Sequence, residues 1–141
     1  MGTPLSNSVI SSNDDLLRVW RKLMGDGGFG KRSLWLIFLD DEGRPAPLVV
    51  PIDDIPPEPD PEDIRRIADL VRRVQDELGV RSVPMLISRP GPSRMTDSDR
   101  RWAVGLTGAF ADQQAPWPIH LATADDVQVF TPDDLIAQGA A

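Results

Sequence analysis

Apolar residues switch between two spacings along this chain, and each switch marks the border of an element. After a small, polar stretch at residues 1–12, read as a disordered tail, Leu16, Leu17, Trp20, Leu23 and Met24 fall at i, i+1, i+4, i+7 and i+8. That is one face of an amphipathic helix, with Asn13 as its expected N-cap and Gly25 as its end. Ser33–Leu39 is an almost unbroken apolar run, too short for a core helix and rich in branched and aromatic residues, so it predicts a buried strand. Asp41-Glu-Gly-Arg44 supplies a turn, and Pro47–Ile52 returns as the second strand of an antiparallel hairpin. Pro51 places that strand at a sheet edge or near its own end, because proline brings no N–H to a ladder.

From Asp53 to Pro61 the chain is nearly all Asp, Glu and Pro, a stiff acidic connector expected to stay out of the core. Asp60 as N-cap, Pro61 at the first helical position and Gly79 as terminator then frame a long helix. Its apolar stripe is Ile64, Ile67, Leu70, Val71, Val74 and Leu78, opposite Arg65, Arg66, Arg72, Arg73 and Asp76. Val83–Ser88 predicts a third strand and Arg89–Arg94 a loop. A helix starting near Thr96 would carry Trp102, Ala103, Leu106 and Phe110 inward. Ile119–Ala122 and Val127–Phe130, on either side of Ala124-Asp-Asp126, predict a closing hairpin, and Thr131-Pro-Asp-Asp-Leu135 a capped last turn of helix. The order α-ββ-α-β-α-ββ-α implies an α/β (α+β) fold, a mixed sheet flanked by helices. It forms a single domain over 13–137 with a short tail at 138–141.

Composition removes most site chemistries. With no cysteine there is no disulfide, thiolate nucleophile, zinc ribbon or iron–sulfur cluster, and one histidine cannot build a multi-histidine zinc site. No apolar run approaches the roughly 20 residues that span a bilayer. The first residues lack the basic start and apolar stretch of a signal peptide, so a cytoplasmic location is expected. Thirteen Arg against two Lys fits a GC-rich bacterial genome. The net charge of -7 is unevenly spread: residues 40–63 hold nine acids against one Arg, and residues 64–101 hold nine Arg against five acids. A two-signed surface suits a protein partner or self-association. With the tryptophans at expected core positions, it argues against nucleic acid.

Three motifs bear on function. Gly25-Asp-Gly-Gly-Phe-Gly-Lys-Arg32 nearly spells a phosphate-binding loop, but a helix precedes it and a strand follows, and Arg32 replaces the hydroxyl that would hold magnesium. It is read as a connector. His120, alone among apolar neighbours, is read as a packed histidine. The richest stretch is Leu86-Ile-Ser-Arg-Pro-Gly-Pro-Ser-Arg-Met-Thr-Asp-Ser-Asp99, which leaves a strand, crosses a Pro/Gly loop and enters a helix.

This stretch resembles the JAB/MPN metalloprotease-like domain, and its RadC-like branch in particular, whose pattern is H-x-H-P-S-G followed by S-x-x-D at a helix start. By element order the resemblance covers roughly residues 31–137. It implies a zinc site with two histidines and an aspartate, and an upstream glutamate as base. With Pro90 on the motif proline, Ile87 and Arg89 stand where the histidines would be, and only Thr96 and Asp99 keep the S-x-x-D spacing. Glu42, in a turn, and Glu58, in the connector, are poor candidates for the base. One carboxylate beside an arginine cannot hold a catalytic zinc. No catalytic residue, cofactor or metal is therefore expected. The resemblance implies a non-catalytic domain acting as a protein-interaction or scaffold module, through the loop Arg89–Arg94 and the connector Asp53–Asp63. The alternative is an enzyme or sensor that binds an anionic small molecule with Arg89, Arg94, Thr96 and Asp99. Thr96 and Asp99 also have the spacing of a helix capping box.

Overall fold

Strand β1 (Ser33–Leu39) is apolar at nearly every position because it is covered on both faces. Leu34, Leu36 and Phe38 enter one core, and Ile37 and Leu39 the other. The computed structural model of the chain describes residues 9–25, 30–80, 82–111, 117–124 and 126–139. Five strands form one mixed sheet in the order β2-β1-β3-β4-β5, with β2 at Pro45–Asp53, β3 at Met85–Ser88, β4 at His120–Ala122 and β5 at Val127–Val129. Neighbouring strands are antiparallel except β3 and β4, which run parallel and are joined through helix α3 (Asp97–Ala109). Helix α2 (Pro61–Leu78) and α3 cover one face, meeting it with Ile67, Val71, Trp102, Ala103 and Leu106. Helix α1 (Asn13–Met24) covers the other with Leu16, Trp20 and Met24.

The caps of α2 match their residues: the Asp60 side chain accepts from the Glu62 amide, and Gly79 closes the helix at φ 66°, a conformation glycine adopts without strain. At β2 the structure explains the prolines. Ile37 N donates to Pro84 O, so alternate residues of β1 point toward β3, and the residues opposite them on β2 point toward the free edge. Pro51, paired with Trp35, and Pro45, paired with Leu39, hold outward positions. Strand β2 is an edge whose missing N–H groups discourage addition of another strand.

Several expectations are corrected. Residues 9–12 are not tail: Ile10 is buried in the α1 core and its N–H donates to Gly43 O, while Ser12 rather than Asn13 caps α1. A Cβ on Gly43 would sit 2.5 Å from Ile10 O, so glycine is what lets this segment dock. Residues 1–8 lie outside the described residues. The connector does reach the core, because Ile55 is buried under α2 and α3. Leu78 ends the α2 stripe but is 45% exposed and lines an open groove with Val9, Pro45, Ala46 and Val80. Strand β3 begins at Met85 rather than Val83, since Pro84 cannot donate. The last turn is a helix, α4 (Pro132–Gly139), so residues 138–139 are not tail; Thr131 and Asp134 cap it reciprocally, which stabilises more than one turn.

Candidate functional site

The antiparallel register of β1 and β3 pairs Ser33 with Ser88, and the parallel register of β3 and β4 pairs Ser88 with Ala122. Arg32, just before β1, and Arg89, just after β3, therefore leave the same end of the sheet. This is the carboxyl end of the parallel pair, where α/β folds commonly place their sites. The loop between β3 and α3 closes over it. Gly91, at φ 99°, makes the turn, and a Cβ there would approach Arg89 Nη1 to 3.4 Å.

Arg89 does not project from this loop; it is 5% exposed and the loop wraps around it. Its Nε donates to Asp99 Oδ1 at 2.8 Å and Oδ2 at 3.0 Å. Nη1 donates to the carbonyls of Pro90 and Pro92, both at 3.0 Å, and Nη2 to Arg94 O and Asp99 Oδ2, both at 2.8 Å. A guanidinium has five N–H groups. All five of Arg89 are used. Asp99 is fully buried and has a second task, accepting from Thr96 N at 2.9 Å while the Thr96 hydroxyl accepts from Asp99 N at 3.1 Å. The capping box is thus present, and its carboxylate is also the counter-ion of the loop.

The four residues singled out in the sequence divide accordingly. Arg89, Thr96 and Asp99 converge. Arg94 contributes only its carbonyl, and its side chain is exposed. An anion could reach neither a saturated Arg89 nor a carboxylate. Ile87, at the other position where the resemblance would put a metal ligand, is buried in the apolar core. The donor set does not fit zinc. Among the described residues no group of three or more His, Cys, Asp or Glu is placed to hold a metal ion. Nor is any described helix long and apolar enough to cross a membrane.

Sequence reasoning missed Arg32, seen there only as the wrong residue for a phosphate loop whose residues 26–29 lie outside the described ones. Its Nη2 comes within 3.7 Å of Asp99 Oδ1, beyond hydrogen-bond range, and its side chain is only 16% exposed. Its buried Nε has no partner. Burial lowers its pKa first; Asp99 acts to raise it, Arg89 to lower it and Glu58 to raise it. No local pattern marks Arg32, because only strand register brings it to Arg89.

The acidic connector is fastened to the same helix. Trp102 Nε1 donates to Pro56 O at 2.8 Å, Ser98 Oγ donates to Pro57 O, and Arg101 pairs with Glu58. The loop and the connector, distant in sequence, thus both sit on the first turns of α3. His120 lies on the neighbouring strand, 1% exposed, with Nδ1 unpartnered. Burial pushes its pKa down to about 4, against a smaller opposing effect of a backbone hydrogen bond with Pro118, so it is neutral at pH 7. No family model matches the chain, and no curated protein matches it.

Proposed function

We propose that the chain is a non-catalytic domain of the JAB/MPN, RadC-like kind that works by binding another protein. The observation that carries this reading is the Arg89 guanidinium, held by Asp99 and three loop carbonyls where the resemblance would put a metal. An internal cation supplies the positive charge that orders the loop, so the loop needs no metal to keep its shape. The joining of that loop and the acidic connector on α3 supports a role in binding, because it offers a partner one preformed surface with both signs of charge.

Two measurements test the reading. Protein purified without a tag is expected to carry far less than one zinc per chain; stoichiometric zinc would overturn the non-catalytic half. A photo-crosslinking residue in place of the exposed Arg94 is expected to give a discrete protein adduct in the source cells, and recovery of uncrosslinked chain alone would overturn the binding half. Enzymatic or sensory use of an anionic small molecule through Arg89 finds no support in the geometry, since that side chain has no donor left.

A further inference from the structure

Asp99 is shared unequally. Arg89 makes three hydrogen bonds to it and Thr96 N a fourth, which leaves Arg32 attracted to the carboxylate but bonded to none of its oxygens. The other nearby acid, Glu58, is engaged by Arg101. Asp99 is the main partner of Arg89 and Glu58 that of Arg101, so among the described residues Arg32 has no carboxylate within hydrogen-bond range. A mostly buried guanidinium is costly to leave without acceptors, and the Nε of Arg32 is a buried donor with none.

We propose that Arg32 is the anchor of an oxyanion site, taking a carboxylate or a phosphate group between the connector and the first turn of α3. A carboxylate is planar and a phosphate tetrahedral, but each presents a pair of oxygens that a guanidinium fork can engage through two parallel N–H groups. The rest of the cluster is suited to hold Arg32 still for this purpose. Its backbone carbonyl accepts from Ile55 N at 3.1 Å, which ties it to the connector, and Asp99 attracts the guanidinium from 3.7 Å. Neighbouring Lys31 is already directed to Asp53 and Asp54, so it does not compete for the incoming anion. Arg89 acts here only through its charge. The site is independent of whether the fold is of the JAB/MPN kind.

The test is thermal unfolding of the full chain in inorganic phosphate or acetate, with chloride as reference at constant ionic strength. The wild-type midpoint is expected to rise saturably with at least one of the two anions; a response to phosphate alone assigns phosphate chemistry, and a response to acetate assigns carboxylate chemistry. Arg32→Gln is expected to weaken the apparent affinity about tenfold or more, the equivalent of one charge-assisted hydrogen bond. Arg94→Gln should leave it unchanged. The arginine Nε–H resonances of the wild type provide a readout that needs no variant, with the Arg32 signal shifting as the anion is added. No anion-specific rise, or a rise that survives in Arg32→Gln, overturns the proposal.

Discussion

Two buried polar side chains lie toward opposite ends of the parallel pair of strands, Arg89 just after β3 and His120 at the start of β4, and the protein treats them in opposite ways. Arginine cannot shed its charge in a protein, so its burial is tolerable only with partners. Around Arg89 the chain supplies a carboxylate and three carbonyls. Histidine has another way out. It gives up its proton, and its buried imidazole keeps Nδ1 unpartnered. One solution is built from contacts; the other depends on pH. A buried ion pair is no evidence of high stability in itself, since similar-sized apolar side chains can do as well. What the Arg89 pair contributes is a single shape for the loop, because five acceptor atoms must be met at once.

The largest expected effect breaks the first arrangement. Arg89→Met leaves Asp99 buried without its main counter-ion and three carbonyls without donors, and should cost about 3–5 kcal/mol in urea unfolding. Asp99→Leu placed on top should recover a large part of that loss, because the stranded charge is then gone; equal losses in the single and double variants would show that the pair is not the unit. The second effect concerns His120. The unfolded chain takes up the imidazole proton near pH 6.5 and the folded chain near about 4. Between these values the unfolded state holds more protons, so stability is full above pH 6.5 and falls as pH drops toward 4, by roughly 3 kcal/mol in all. His120→Leu should flatten this component of a stability-against-pH curve, and an unchanged slope would contradict the assignment. The smallest is the cap. Thr96→Ala removes the hydroxyl but leaves Arg89 and Asp99 in contact, and should cost about 1 kcal/mol in the same unfolding assay. A cost near that of Arg89→Met would mean that cap and ion pair form one cooperative unit.

Some of this was legible in the sequence because the signals are local. Asp60, Pro61 and Gly79 bound α2 through the conformations and side-chain bonds available to those residues. The run Ser33–Leu39 marks a strand covered on both sides, and Thr96 with Asp99 marks a helix start. Where a side chain meets distant chain, the reading went astray. Ile55 is one apolar residue in an acidic, proline-rich segment and carries no periodicity, yet α2 and α3 cover it. Leu78 has the right helical phase but is left half exposed, lining an open groove beside Pro45 and Ala46. Asn13 and Ser12 are both good caps, and the choice of Ser12 follows from the docking of Ile10 against Gly43.

The sequence by itself determined the mixed α/β class, the caps of α2 and the N-cap of α3, the edge character of β2 and the shortage of metal-binding side chains. Each follows from the properties of one residue or of a short run. Only the tertiary structure decided what Arg89 does, because its six hydrogen bonds join the end of a strand, three points along a loop and the first turn of a helix. It also decided that Arg32 matters. Strand register, set by which apolar faces are buried, puts residues 57 positions apart beside one carboxylate, and one carboxylate can satisfy only one of them.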